Sequence, residues 1–579
     1  MTRLWNDPAD FADEMIAGFV AANERYVRRV PGGVVRSTAV PAGEVAVVIG
    51  GGSGHYPAFG GLVGPGLAHG AAMGNLFASP SAQQVRSVAT AAHAGGGVLL
   101  SYGNYAGDVL NFDAAQERLR AEGIACETVV VTDDIASAGP DERDRRRGIA
   151  GDLTVFRIAA AAAAAGYELT DVARVAWHAN ERTRSFGVAF TGCTLPGAAD
   201  PLFSVPAGRM AVGLGIHGEP GIDESGIPTA DGLADLLVER LLAERPAGAG
   251  DRVVPLLNGL GSLTHEEMFV VYRRIADLLT AAGLEVVDPH VGQYCTSFDM
   301  AGTSLTLLWL DDELARLWDA PVDTPAYRRG AVPTTVRLVD LPAADAADAV
   351  DPADEIVPGD AASVAAARAV RKALDALVRT IDVHADELGR IDAVAGDGDH
   401  GIGMQRGARA ALAAATTAAD AGAGAGTVLR RAADAWSDRA GGTSGALWGV
   451  ILTALGAALG DAGRPAPATV AAGVAAGARG VMDHGKAEVG DKTLVDVLVP
   501  FSAELSRAVD AGADLADAWR SAAAVATSAA AATADLMPRK GRARTHGKGS
   551  VGTVDAGAHS LALIVTAVGD VLAGDQERN

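Results

Sequence analysis

Cysteine is scarce in this chain: three among 579 residues. Cys126, Cys193 and Cys295 lie far apart with no C-x-x-C spacing, so neither a disulfide framework nor a thiolate zinc site is expected. Positive charge is also in deficit, with 48 Lys and Arg against 71 Asp and Glu, a formal net charge of −23. Such a balance argues against nonspecific nucleic-acid or anionic-membrane binding and leaves room only for local basic pockets. No Walker pattern G-x-x-x-x-G-K-[ST] occurs, which excludes a P-loop enzyme. The start, Met1-Thr-Arg-Leu-Trp-Asn-Asp, carries no apolar signal region. The longest apolar run, Ala446 to Gly460, is interrupted by glycine and reads as too short to span a bilayer. A soluble, cytoplasmic protein is the expectation. With 49% apolar residues, the chain has enough hydrophobic mass for two to four globular domains.

What is present in concentrated form is carboxylate. Asp392-Ala-Val-Ala-Gly-Asp397-Gly-Asp399-His400-Gly401 brings three acids into eight residues, with glycines that let the segment fold back on itself. On its own the loop also reads as a solvated acidic turn. If the carboxylates converge, they repel one another unless a cation sits among them, and an all-oxygen donor set favours magnesium over zinc. Magnesium held by few carboxylates takes its remaining ligands from water and from a nucleotide's phosphates. The EF-hand spacing and closing Glu are missing. Gly441-Gly442-Thr443-Ser444-Gly445 then offers backbone N–H groups and two hydroxyls just before an apolar helix, a ready phosphate site.

Further on stand Gly490-Asp491-Lys492-Thr493-Leu494-Val-Asp496 and Arg539-Lys540-Gly541-Arg542. In this order the four segments resemble the nucleotide-binding domain of the dihydroxyacetone kinase family, with its GDGD, GGTSGAL, GD-x-T-x-x-D and RKGRA motifs. The resemblance implies that Asp392, Asp397 and Asp399 hold two magnesium ions. It further implies that Gly442, Thr443, Ser444, Gly490 and Asp555 contact ATP, and that Arg542 shields the transferring phosphate.

In the N-terminal half, Phe11, Met15, Ile16, Phe19 and Val20 mark one face of a short helix. Buried strands are expected at Glu44 to Ile49, Val98 to Ser101, Val129 to Val131, Met210 to Gly213 and Val253 to Leu257. Several of them run into glycine turns or acidic loops. Gly103 to Asp108 reads as a loop, with a helix after Leu110. The alanine run 159–165 reads as helical filler. Gly213-Leu-Gly215-Ile-His217-Gly218 matches G-x-G-x-x-G, but Glu219-Pro220-Gly221 behind it makes a poor helix start, so no dinucleotide site is expected. Thr264 and Glu267 form a capping box for a helix with Phe269, Tyr272, Ile275 and Leu279 on one face.

The fold class that follows is an α/β half of largely parallel sheets in two subdomains (1–330), a Pro/Ala/Asp linker (331–361) and an all-α nucleotide domain, a helical bundle or barrel (362–579). Alanine-rich helices should pack closely.

The N-terminal half resembles the same family's ketose-binding domain. The matching segments are Gly50-Gly-Gly52-Ser53-Gly-His55-x-Pro57, Phe77-Ala-Ser79-Pro80, Asn104-Tyr-x-Gly107-Asp108 and Gly215-Ile-His217-Gly-Glu-Pro220-Gly221. The order matches the single-chain, ATP-dependent form. The resemblance implies that His217 attacks the ketose carbonyl to give a hemiaminal, His55 bonds the adduct oxygen, and Asp108 takes the proton of the attacking hydroxyl. Gly52, Ser53 and Ser79 would bind substrate, and the protein would be a homodimer. His69, His93, His178, His265 and His290 match no such context and read as structural.

Three positions depart from the family pattern. Gly103 stands in place of a lysine, Asn75 in place of an aspartate, and Tyr56 follows Gly-His where a Glu or other polar residue is usual. The missing lysine should leave free volume near the attacking hydroxyl, Asn75 keeps the shape of an aspartate but removes its charge, and Tyr56 adds a hydroxyl that can donate or accept a hydrogen bond. The expectation is a ketose one hydroxymethylene longer than dihydroxyacetone, namely erythrulose. Dihydroxyacetone itself, a noncatalytic regulatory role and a fatty-acid kinase are the alternatives.

Overall fold

The computed structural model describes residues 2–219, 221–331, 356, 358–396, 398–540 and 550–576. The chain divides into two compact units, Met1–Ala347 and Asp348–Asn579. Most of the expected linker lies outside the described residues.

The first unit holds two sheets. Sheet one contains β1 (Val27–Val30), β2 (Gly33–Arg36), β3 (Ala46–Ser53), β4 (Gly70–Leu76), β5 (Val98–Gly103) and β6 (Cys126–Val131), in the order β1-β2-β4-β3-β5-β6. The strands β4, β3, β5 and β6 pair in parallel; β1 and β2 form an antiparallel hairpin at one edge. Helices α2 (Ala82–Ala92) and α3 (Ala106–Ala121) cover its outer face, around Val48, Leu100 and Phe112. Parallel neighbours require crossovers, and these helices supply them.

Sheet two is built from β7 (Thr183–Ala189), β8 (Arg209–Val212), β9 (Asp223–Gly226), β10 (Arg252–Gly259), β11 (Glu285–Val286), β12 (His290–Gly292) and β13 (Gly302–Trp309). Here the expectation of parallel pairing fails. The run β10-β13-β7-β8-β9 is antiparallel throughout, and only the short β11 and β12 lie parallel to β10. The physical reason is connectivity. β8 reaches β9 through the loop 213–222, whose described residues hold no crossover helix and which returns the chain antiparallel, whereas α7 (His265–Ala281) carries the chain from β10 to the parallel β11. α6 (Ala230–Ala243) and α7 cover the outer face.

Between the sheets lies one shared core. Val47, Ile49, Leu99 and Val129 of sheet one join Val254, Leu256 and Leu308 of sheet two in it. α4 (Asp152–Ala164) runs through this core with residues 152–163 all buried, packing on α5 (Leu169–Glu181), α8 (Asp312–Trp318), β3 and β5. The alanine run expected as filler is therefore part of the central element. Small side chains let the helix sit between its neighbours without forcing them apart. α7 buries Ile275 and Leu279 of the expected face, but Met268 and Val271 are buried at its start, with Tyr272 only partly buried and Phe269 exposed. The capping box at Thr264 and Glu267 is present.

The second unit is helical: α9 (Ala361–Asp392), α10 (His400–Asp420), α11 (Ala425–Ala440), α12 (Gly442–Leu459), α13 (Pro467–Gly485), α14 (Val495–Asp510), α15 (Leu515–Ala532) and α16 (Ala556–Gln576). Each helix packs on the next, and α16 returns onto α9, closing a ring. Small residues permit close approach. A Cβ at Gly449 would lie 2.0 Å from Ser437 Oγ, and one at Gly407 would lie 2.7 Å from Trp436 Nε1. Two helices, Gly442–Leu459 and Ala556–Gly574, have the length and apolar composition of a membrane span. Both are members of the ring and pack on neighbouring helices, burying Leu447, Trp448 and Ile451 of the first and Leu561, Ile564 and Val565 of the second.

Candidate functional site

In the first unit the site forms where the carboxyl ends of β3 and β5 meet the loop after β8. The strand β3 extends through the glycines to Ser53, further than the expected end at Ile49. Gly52 has no room for a side chain, since a Cβ there would lie 2.7 Å from Ala78 N. His55 follows. Its Nδ1 lies 2.7 Å from the carbonyl oxygen of Thr296, which can only accept, so Nδ1 carries the hydrogen. Its Nε2 lies 3.0 Å from Nε2 of His217.

His217 Nδ1 in turn lies 3.1 Å from Glu219 Oε1, and the His217 backbone N–H donates to Glu219 Oε2 at 3.1 Å. Thus two imidazoles meet three contacts, two to oxygen acceptors and one to each other. Three hydrogens would satisfy all three, one more than two neutral rings hold, and a proton added to the pair would set its charge opposite the Glu219 carboxylate. Phe77 stacks on His55 with ring centroids 4.8 Å apart, and Tyr105 sets its ring at right angles to His217 at 4.6 Å. Phe77 holds a left-handed backbone, φ 53°, a conformation rare for a bulky residue. Tyr105 is fixed by its hydroxyl, which donates to Gly148 O at 2.9 Å.

Asp108 is buried in the first turn of α3, which begins at Ala106 rather than after Leu110. Asp133, Asp134 and Asp152 surround this end of the sheet. Burial pushes the Asp133 carboxyl up to about 6 and the Asp152 carboxyl well above its usual range, with Asp133 and Asp108 adding to the latter. Ser53 Oγ donates to Gly74 O at 2.6 Å, and Ser79 Oγ donates to Pro80 O at 3.1 Å. Asn75 Oδ1 is buried without a hydrogen-bond partner among the described residues, a cost a ligand donor would relieve.

Two of the substrate-site expectations meet different surroundings. Gly103 is closely bordered: a Cβ there would meet Gly148 O and the Tyr105 ring at 3.3 Å. The side chain of Tyr56 is half-exposed and turns toward Phe19, centroids 6.1 Å apart, in an apolar recess with Met15, Phe59 and Met73. Among the histidines read as structural, His69 bonds Glu44, His178 bonds Asp311 and His290 bonds Asp288. Burial lowers His69 to about 4.

In the second unit α9 ends at Asp392 and α10 begins at His400, so the acidic loop joins two helices. Asp392 Oδ2 accepts from Gly398 N at 2.9 Å. Asp397 lies outside the described residues, as do Arg542 and Pro220. Burial, with Asp392 beside it, pushes Asp399 up to about 7. Burial does the same to Asp555, with Asp392 and Asp496 contributing. Buried carboxylates raised by one another form an oxygen donor set that a hard cation would stabilise. No set of three metal-binding side chains converges among the described residues. The oxygen chemistry of these carboxylates fits a hard cation such as magnesium.

Gly441 (φ 63°) and Gly442 (φ 61°) turn the chain into α12, whose first turn contains Thr443 and Ser444. Ser444 Oγ lies 3.4 Å from His400 Nδ1, and His400 Nε2 lies 3.0 Å from Ser560 Oγ, joining the acidic loop, α12 and α16. Gly490 N and Thr493 N both donate to the Asp496 carboxylate, at 2.6 and 2.8 Å. Asp555 Oδ2 accepts from Ala558 N at 2.7 Å and caps α16.

Glu219, Arg147 (3.6 Å from the Glu219 carboxylate), Thr296, Tyr105, His400 and Ser560 belong to these networks, although none of them is assigned a role in the site from the sequence. Glu219, two residues after His217, carried the one local signal. Thr296 and Arg147 arrive from distant segments.

An α/β unit with paired imidazoles between two sheets, next in sequence to a closed helical ring with a buried acidic loop, defines a two-unit architecture. Residues 17–326 match the Dak1 domain and residues 394–570 the DAK2 domain. The chain belongs to the dihydroxyacetone kinase family. It is 58% identical to an L-erythrulose kinase of Pectobacterium atrosepticum, over 99% of this chain and 97% of that one. It is 54% identical to a D-erythrulose kinase of Mycolicibacterium smegmatis, over 98% of each chain. Among solved structures, the dihydroxyacetone kinase of C. freundii in complex with AMP-PNP and Mg2+ covers 98% of this chain and 99% of its own at 28% identity, with a TM-score of 0.53.

Proposed function

We propose that the protein transfers the γ-phosphoryl group of ATP to a terminal hydroxyl of erythrulose held covalently on His217. It is an ATP-dependent ketose kinase. The observation that carries the chemistry is the 3.0 Å contact between the two Nε2 atoms. A carbonyl carbon placed at His217 Nε2 has the proton it needs within reach on His55. The N–C bond forms, the C=O π pair moves to oxygen, and oxygen takes the proton held between the rings. A polyol such as glycerol offers no carbonyl and is not captured.

Gly52, Ser53 and Ser79 line the ketose. Asp108 accepts the proton of the attacking hydroxyl, a modest task because phosphoryl transfer depends mainly on alignment and charge neutralisation. Asp392, Asp397 and Asp399 would hold magnesium, two ions in our reading, which supplies neutralisation of the phosphate charge when bound. Gly442, Thr443, Ser444, Gly490 and Asp555 form the nucleotide cradle, and Arg542 covers the phosphate. The relatives at 58% and 54% identity support erythrulose over dihydroxyacetone. Asn75, with its unpaired oxygen, is the residue we assign to the additional hydroxyl. Gly103 and the half-exposed Tyr56 also belong to the ketose-side residues in this reading.

We further propose a homodimer in which the nucleotide unit of one copy serves the ketose unit of the other. Mixing His217→Ala chains with Asp399→Asn chains should then restore ketose-dependent ADP release, since one complete site forms in each mixed dimer. No recovery after subunit exchange would overturn the crossed dimer. ADP release by wild-type protein that does not depend on ketose would overturn the kinase reading itself.

A further inference from the structure

The carboxylate of Glu219 is built into the turn that carries His217. Gly215 N donates to Glu219 O at 3.0 Å and Gly218 N to Gly215 O at 3.1 Å, closing the segment on itself. The carboxylate folds back beneath the histidine, with one oxygen on the His217 backbone N–H and the other on Nδ1. It occupies the place a side chain at 215 would take: a Cβ there would lie 2.0 Å from Glu219 Oε2 and 2.5 Å from Arg147 Nη1. Arg147 Nη1 lies 3.6 Å from the same oxygen, and its Nε and Nη2 donate to Asp134 Oδ2 at 3.1 and 2.9 Å. Burial works against the Arg147 charge, but Asp134 and Glu219 more than offset it and raise its pKa. Glu219 and His217 are both almost fully buried.

We infer that Glu219 is a positioning residue for ketose capture, holding hydrogen on His217 Nδ1 and receiving the positive charge that capture delivers to that ring, with Arg147 fixing the carboxylate against Asp134. The inference rests on the reading of His217 as the nucleophile. Its charge balance follows from the bonds made. Before capture the extra proton is shared between His55 and His217. When Nε2 of His217 bonds the ketose carbon, the alkoxide takes that proton and His55 becomes neutral. His217, alkylated at Nε2 and protonated at Nδ1, now bears the whole positive charge, 3.1 Å from Glu219 Oε1. The carboxylate therefore interacts more strongly with the adduct than with the free site. A low-dielectric surrounding magnifies that difference. A carboxamide could accept the same hydrogen bond without supplying the charge.

The test uses full-length protein and erythrulose carrying carbon-13 at C2, read by NMR as the fraction of carbonyl converted to a protein-bound tetrahedral carbon. Wild type should show the bound signal. Glu219→Gln should lower its population about tenfold or more, for loss of a buried charge-assisted contact. It should lower kcat/KM in parallel and leave ATP binding and the unfolding temperature near wild type. Arg147→Lys, which retains a cation, should fall between the two. Gly215→Ala, which displaces the carboxylate without changing it, should reproduce the Glu219→Gln loss. A Glu219→Gln protein with the wild-type adduct population would overturn the inference and leave the His217 reading intact. Absence of any adduct in turning-over wild-type protein would overturn both.

Discussion

Asp399→Asn should lower phosphoryl transfer by more than roughly 100-fold, because loss of a residue that merely supports a metal ligand already costs about 10–100-fold. The ketose unit should still form its adduct. Stability distinguishes this outcome from misfolding. Burial, with Asp392 beside it, raises the Asp399 pKa from 3.8 to about 7. A carboxyl raised in the folded state contributes stability below its unfolded pKa and loses that contribution as pH rises through about 7. At pH 8 the metal-free wild-type unit therefore carries a costly buried charge, and the neutral Asn removes it. The variant should unfold no lower than wild type at pH 8 without magnesium, and should gain less from added Mg·ATP. Wild-type turnover in Asp399→Asn would remove the metal assignment.

The second large effect is expected at Asp108. Asp108→Asn keeps size and removes the proton acceptor. A positioned general base contributes about 10²- to 10⁴-fold, so kcat should drop in that range. Adduct formation should be unaffected, because in the proposed mechanism Asp108 acts on the hydroxyl and not on the carbonyl. His217→Ala should give the opposite pattern, with the adduct gone and discrimination against glycerol lost. A double comparison of adduct population and kcat separates the two roles. If Asp108→Asn abolished the adduct while leaving kcat unchanged, their assignments would have to be exchanged.

Much of the fold was legible because local signals and tertiary demands coincide. The strand at Glu44 to Ile49 continues as β3 into the glycine turn, and the Thr264–Glu267 capping box starts α7. What stayed hidden depends on partners far along the chain. The pairing direction of sheet two is set by which strands meet, and nothing within a four-residue segment such as Arg209–Val212 records that. The alanine run gave no hint of centrality, since alanine suits a surface helix and a crowded core equally well.

The site shows the same division. His55, His217 and Asp108 stand in recognisable motifs, and the structure brings the two histidines together. Thr296, which fixes the tautomer of His55, is 241 residues away and supplies only a backbone carbonyl, so no residue type announces it. The surroundings of Gly103 likewise come from other segments: Gly148 O and the Tyr105 ring stand 3.3 Å from where a Cβ would lie. The proposed preference for erythrulose rests physically on Asn75, whose Oδ1 has no hydrogen-bond partner among the described residues. A site that hydrogen-bonds an added hydroxyl rejects the analogue lacking it far more strongly than an apolar site can.

The most direct measurement is kcat/KM for L-erythrulose, D-erythrulose and dihydroxyacetone with ATP and magnesium under one set of conditions, with ADP release matched to phosphomonoester formed. At least one tetrulose should exceed dihydroxyacetone, by about tenfold or more if a buried hydrogen bond is lost with the shorter substrate. A higher value for dihydroxyacetone than for both tetruloses would contradict the erythrulose assignment, and ADP formed without a matching phosphomonoester would contradict ketose phosphorylation altogether.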